Sequence, residues 1–134
     1  MFKTLCIAVS SAALLVAAGC GSYAAPDAKS PAKSPAMIAS GALVASGGMT
    51  LYTFDKDMAN SGKSACNGPC AALWPPLTAS AGDQPSGLYS IVTRDDGARQ
   101  WAYKGKPVYT YKADQKAGDR SGDNFKDVWH IIKE

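Results

Sequence analysis

The sequence predicts a mainly β fold: a small antiparallel β domain built from two pseudo-repeats, with one short helical turn. Three observations carry this. Short apolar runs rich in aromatic and β-branched residues alternate with Gly, Pro and Asp turn signals, as strands between tight turns do. The stretch Tyr52-Thr53-Phe54-Asp55-Lys56-Asp57 returns as Tyr109-Thr110-Tyr111-Lys112-Ala113-Asp114. A Trp follows each copy at nearly equal spacing, in Trp74-Pro75-Pro76-Leu77 and again in Trp129-His130-Ile131-Ile132. Neither half is large enough to hold a core alone, so the two are expected to pack as one unit.

The chain opens with Met1-Phe2-Lys3-Thr4 and then runs without charge from Leu5 to Ala18. A basic start, a short apolar run and small residues at its end read as a secretory signal. The run is short of the ~20 apolar residues a membrane span needs. Val16-Ala17-Ala18-Gly19-Cys20 resembles a bacterial lipobox, with Ala17 where Leu is more usual. On that reading residues 1–19 are a lipoprotein signal peptide and Cys20 becomes the acylated N-terminus, which anchors the chain to a membrane. Gly21 rather than Asp follows, which by resemblance to Gram-negative lipoproteins directs the chain to the outer membrane. The alternative is ordinary cleavage after Ala24, behind Ser22-Tyr23-Ala24, leaving a secreted or periplasmic protein. Residues 20–38, with repeated Ala-Lys-Ser-Pro units, read as a disordered tether.

Residues 39–134 read as the folded part. Ala42–Ala45, Gly47-Gly48 and Leu51–Phe54 have the pattern of a hairpin. A helical turn starts near Pro69, which suits a first helical position, with Asn67 as the cap. Ser90–Arg94 and Gln100–Tyr103 are strands around the turn Asp95-Asp96-Gly97. Lys104–Pro107 turns again, Val108–Tyr111 follows as a strand, and Val128–Ile132 closes the chain.

The twice-occurring Y-x-[FWY]-x-x-D element, with Cys66, Cys70 and Trp74-Pro75-Pro76 between its copies, resembles the small bacterial lipoproteins and secreted-repeat proteins named for that motif. The segment from Arg94-Asp95-Asp96-Gly97 to Lys106-Pro107 is similar to them too, and the resemblance spans residues 43–134. It implies an exported, repeat-built protein whose family has no settled biochemical role, so no catalytic residue carries over.

The residues themselves favour structural roles. Alternation puts Tyr52 with Phe54, and Tyr109 with Tyr111, on one strand face, where they are expected to pack against Trp74 and Trp129. Asp57 and Asp114 fall at strand ends, suited to accept loop N–H groups as Asx turns. The rival reading of these aromatics is an exposed platform for a glycan or porphyrin. Cys66 and Cys70 read as a disulfide in an oxidising compartment. If reduced, their thiolates with Met49, Met58 or His130 would suit copper(I). Asp119, Ser121, Asp123 and Asp127 place oxygens at the spacing of a calcium loop. Asn124 stands where such loops have Gly, and no bidentate Glu follows. Strand alternation puts His130 on an outer face.

Function classes narrow accordingly. The chain has 134 residues, one domain at most. Its 14 basic and 11 acidic side chains are interleaved, which disfavours nucleic acid. Lys3, Lys29 and Lys33 precede residue 39, so the net charge of +3 lies mostly outside the fold. With one His and no Gly-x-Ser-x-Gly, no enzyme is expected, and no cofactor unless calcium binds. The expectation is a lipid-anchored, non-enzymatic envelope module for a partner or ligand. The alternative is a metal-binding (calcium or copper) or redox accessory protein of the envelope.

Overall fold

A computed structural model describes residues 34–134. The expected signal peptide, Cys20 and most of the expected tether lie outside the described residues. Seven short strands occur among them: β1 (Ala36–Ala39), β2 (Ala42–Ala45), β3 (Tyr52–Phe54), β4 (Tyr89–Thr93), β5 (Arg99–Tyr103), β6 (Lys106–Pro107) and β7 (Trp129–Ile131). One helical turn, α1 (Pro69–Leu73), and a one-turn 3-10 helix (Phe125–Asp127) complete the elements. The strands form three antiparallel sheets, β1-β2, β3-β7 and β4-β5-β6. The mainly β class with two repeats is therefore the observed one.

The fold begins before residue 39. Strand β1 takes in residues 36–38, which the sequence assigns to the tether, and Ala36 is buried opposite Ala45. The turn joining β1 to β2 is Ser40-Gly41, both with positive φ, as a two-residue hairpin needs. The preceding Pro, Ser and Lys residues mask this strand in the sequence, because only its partner strand supplies the buried face.

The expected hairpin between Ala42–Ala45 and Leu51–Phe54 forms only in its first part. The chain reverses at Gly47-Gly48, and the Leu51 N–H reaches the Leu43 carbonyl at 3.0 Å. Tyr52–Phe54 then leaves and pairs instead with the far end of the chain, Phe54 opposite Trp129 and Tyr52 opposite Ile131. Val108–Tyr111 makes isolated bridges, Tyr109 with Tyr52 and with Pro76, rather than a continuous strand. The cap of α1 is Gly68 rather than Asn67, with no side-chain bond. The Asp95-Asp96-Gly97 turn is as expected, closed by the Arg94 N–H on the Ala98 carbonyl at 2.8 Å.

Two cores result. One is largely aliphatic and joins Leu43, Leu51 and Val108 to Trp101 and Tyr103. The other is aromatic and contains Tyr52, Phe54, Trp74, Tyr109 and Trp129. In it four rings stack as a column. Phe54 lies 4.3 Å from Trp129, Trp129 lies 3.8 Å from Trp74, and Trp74 lies 4.0 Å from Tyr111. The partners are exchanged: the aromatic at the third motif position stacks on the Trp of the other repeat. Such pairs add about 0.5–1.5 kcal/mol each beyond the area they bury. Gly122 makes room for the column, since a Cβ there would lie 2.5 Å from Trp74 Cη2.

Removing β1 tests the revised boundary. A chain starting at residue 40 is expected to be about 1–3 kcal/mol less stable to urea than one starting at residue 34. That is the net of a few backbone bonds worth about 0.5–1.5 kcal/mol each. Equal urea midpoints for the two chains would restore the boundary at 39.

Candidate functional site

The repeated motif comes together at one junction. The Tyr52 N–H donates to the Tyr109 carbonyl at 2.8 Å, and the Tyr109 N–H donates back to the Tyr52 carbonyl at 3.0 Å. This is the mutually bonded pair of an antiparallel ladder, and it relates the two motif copies by a local twofold. The side chains obey the same exchange. Tyr52 Oη donates to Asp114 Oδ2 and Tyr109 Oη donates to Asp57 Oδ2, each at 2.6 Å.

Each carboxylate also holds a loop. Asp57 Oδ1 accepts the Ala65 N–H at 2.6 Å, and Asp114 Oδ1 accepts the Ser121 N–H at 2.9 Å. The motif Asp residues therefore do accept loop N–H groups. They reach across the loop rather than closing local Asx turns, and the phenol of the opposite repeat takes the second oxygen. Burial, reinforced by the facing carboxylate, pushes both the Tyr52 and Tyr109 phenols far above their ordinary pKa. Burial also raises the Asp57 carboxyl, opposed by the bonds from Tyr109 and Ala65 and by the Arg94 charge.

Arg94 breaks the symmetry, and the sequence reading missed it. Placed by its number at a strand end beside a turn, it is only 3% exposed. Its Nη1 donates to Gln100 Oε1 at 2.7 Å and to Ser64 Oγ at 3.0 Å. Its Nη2 donates to the Cys66 carbonyl and, at 3.3 Å, to Asn67 Oδ1. Ser64 Oγ in turn lies 2.6 Å from Tyr109 Oη. A cation and a carboxylate are thus linked through two hydroxyls, Arg94–Ser64–Tyr109–Asp57. Arginine is seldom this buried without such partners, and no local pattern in the chain marks it.

Cys66 and Cys70 form the expected disulfide, with sulfurs 2.07 Å and Cα atoms 5.2 Å apart. It closes the turn that offers the Cys66 carbonyl and Asn67 to Arg94. The thiolates of the copper reading are consumed by this bond. His130 is also engaged, with Nε2 2.8 Å from Asp55 Oδ2 and Nδ1 3.2 Å from Asn124 Oδ1.

The calcium reading of the second loop is not supported by where its oxygens go. Asp119 Oδ2 accepts the Gln115 and Lys116 N–H groups, and Asp123 Oδ1 accepts the Ile131 N–H. Ser121 is bound to Asp114 through its backbone N–H, while Asp127 is exposed in the 3-10 turn. Among the described residues no three His, Cys, Asp or Glu groups converge as metal ligands. The Asp119 and Asp123 carboxylates bond backbone N–H groups instead of facing one point with the others. Asn124 does take the left-handed conformation expected of it, with φ 60°. Nor do the motif aromatics form an open platform: Tyr52 and Tyr109 are fully buried, Phe54 nearly so, and the partly buried Tyr111 is stacked on Trp74.

Over residues 39–78 and 90–133 the chain matches a family described as a secreted repeat of unknown function. The chain belongs to that family. Each matched block of the secreted repeat carries one motif copy and the Trp that follows it, Trp74 or Trp129, and the blocks meet at the Tyr52–Tyr109 pair. No curated protein and no solved structure matches the chain. Among the described residues no helix is long and apolar enough to cross a membrane.

Two predictions test the junction. Tyr109→Phe strips partners from Asp57 and Ser64 and is expected to cost about 1–3 kcal/mol in urea unfolding. Asp57→Ala is expected to cost more, because it leaves the Ala65 N–H unpaired and the Tyr109 hydroxyl with Ser64 alone. The second prediction concerns alkali. A phenol whose folded pKa is raised contributes stability that is complete below the unfolded value of about 10 and is lost as pH rises toward the folded value. Stability should therefore fall above about pH 10. Tyrosinate absorbance should show Tyr52 and Tyr109 ionising only as the fold opens, with one phenol fewer in that delayed step in Tyr52→Phe.

Proposed function

We propose that this secreted repeat is a lipid-anchored module of the cell envelope, with a non-enzymatic structural and binding role toward an envelope partner or ligand. The observation that carries the reading is the destination of its polar groups. Both motif carboxylates accept bonds across the junction and from their own loops. Both described cysteines are joined, and among the described residues no buried side-chain nitrogen or oxygen lacks a partner. A catalytic group must face a substrate with a proton or electron pair to exchange. The repeated residues face one another instead.

The anchor rests on different residues. The secreted character of the family agrees with the charge-free run Leu5–Ala18, and the small residues before Cys20 supply the acylation signal. Two or more acyl chains hold a protein to a bilayer stably, where one gives only marginal binding.

The intact mass of the chain isolated from its own cells tests the anchor. The expected mass lacks residues 1–19, carries acyl chains on Cys20 and is two hydrogens light for the disulfide. A soluble, unacylated chain starting after Ala24 would refute the anchor. Turnover of generic ester or glycoside substrates by the same preparation would refute the non-enzymatic reading.

A further inference from the structure

Outside the motif junction, two concavities meet at one pair of residues. The first is an apolar groove of about 330 Å³. Buried Leu43, Trp101 and Tyr103 line it, together with the outward-facing Ile38 and Leu88, which are 47% and 55% exposed. The second is a pocket of about 410 Å³ walled by Ile131 and Ile132 and bordered by Lys104, Lys106 and Lys133. Tyr103 and Glu134 line both. Volumes of ~300–1,000 Å³ are those of small-molecule sites.

Charge is distributed unevenly along this surface. Tyr103 Oη donates to Glu134 Oε1, and Lys104 Nζ lies 2.9 Å from the same carboxylate oxygen. These bonds hold the Glu134 carboxyl below its usual pKa, so it stays ionised and satisfies Lys104. Lys106 and Lys133 make no ion pair among the described residues. One end of the surface is therefore apolar and the other cationic, with a fixed carboxylate between.

We propose that this surface binds an amphipathic anion, with the apolar chain along Leu88 and Trp101 and the carboxylate or phosphate head on Lys106 and Lys133. The chain covers Ile38 and Leu88, which water otherwise reaches. The lysines meet the head through charge-assisted hydrogen bonds. Glu134 repels an anionic head from the groove and leaves it to the lysines beyond. A glycan fits less well, because Trp101 and Tyr103 are only 5% and 7% exposed and present no open ring face for a sugar.

The inference rests on the reading of the chain as a binding module, and the test separates the two. The full mature chain in phosphatidylcholine nanodiscs is irradiated with dodecanoate carrying a terminal diazirine, and the labelled residues are mapped by mass spectrometry. Saturable labelling of peptides holding Ile38, Leu88 or Trp101 is expected, displaced by dodecanoate but not by acetate or dodecyltrimethylammonium. The double variant Lys106→Gln, Lys133→Gln should need at least tenfold more probe. Displacement by phosphatidylglycerol discs would assign the site to a bilayer lipid, and displacement by dodecanoate alone to a free amphiphile. Labelling spread evenly over exposed residues, equal competition by the cation, or an unchanged double variant would each overturn the site and leave the module reading standing. Should the variant fold poorly, the cation-against-anion competition on the natural chain still decides. Chemical conversion of the probe would overturn the non-enzymatic reading while leaving the site.

Discussion

Each half of this protein completes the other, and the exchange of tyrosine and aspartate across the junction is the constraint on which the remaining structure depends. The two Tyr–Asp bonds join residues 62 and 52 positions apart. A hydrogen bond to a carboxylate is worth about 1.5–3 kcal/mol, while either group left alone in the interior would cost its desolvation. Neither repeat can therefore bury its own motif without the other. The ring column repeats the logic in apolar form, since Phe54 and Tyr111 each need the Trp of the opposite half. The junction supplies both the polar satisfaction and the apolar burial that a half of this size lacks.

On this symmetric frame the halves have diverged. Only the Tyr109–Asp57 side carries a buried guanidinium, connected through Ser64 and braced by the carbonyl of a disulfide-bonded cysteine. On the other side a backbone N–H, that of Gly122, approaches Tyr52 Oη at 3.3 Å. The Gly serves twice, because any side chain there would collide with Trp74. Of the polar groups that sequence spacing offers to a metal, Asp119, Asp123, His130 and the two cysteines are used by the fold itself. On the outer surface lie Leu88 and Ile38, with Lys106 and Lys133, which make no ion pair among the described residues.

The parts that were legible in the chain are those governed by local chemistry. The Asp95-Asp96-Gly97 turn, the Pro69 helical turn and the short disulfide depend on neighbouring residues, and all form. Pairing was harder to read. Strand β3 looks like the second arm of a local hairpin but prefers β7, because only that partner brings Trp129 against Phe54. Strand β1 looks like tether, because four residues such as Ala-Met-Ile-Ala carry little signal until a partner covers them. The acidic loop looked like a cation site, because spacing records where oxygens sit along the chain and not which N–H groups they will meet.

The sequence alone determined the β class, the two repeats, the aromatic pairing of motif with Trp and the cysteine bridge. Each is a matter of residue type and separation along the chain. Tertiary structure alone decided that the motifs cross over, that Arg94 is buried, and that an apolar groove and a lysine-bordered pocket share Tyr103 and Glu134. The physical reason is the same for all three. A hydrogen-bonding or charged group takes whichever partner lies nearest in space, and proximity between residues some thirty to sixty positions apart exists only once the chain has closed on itself.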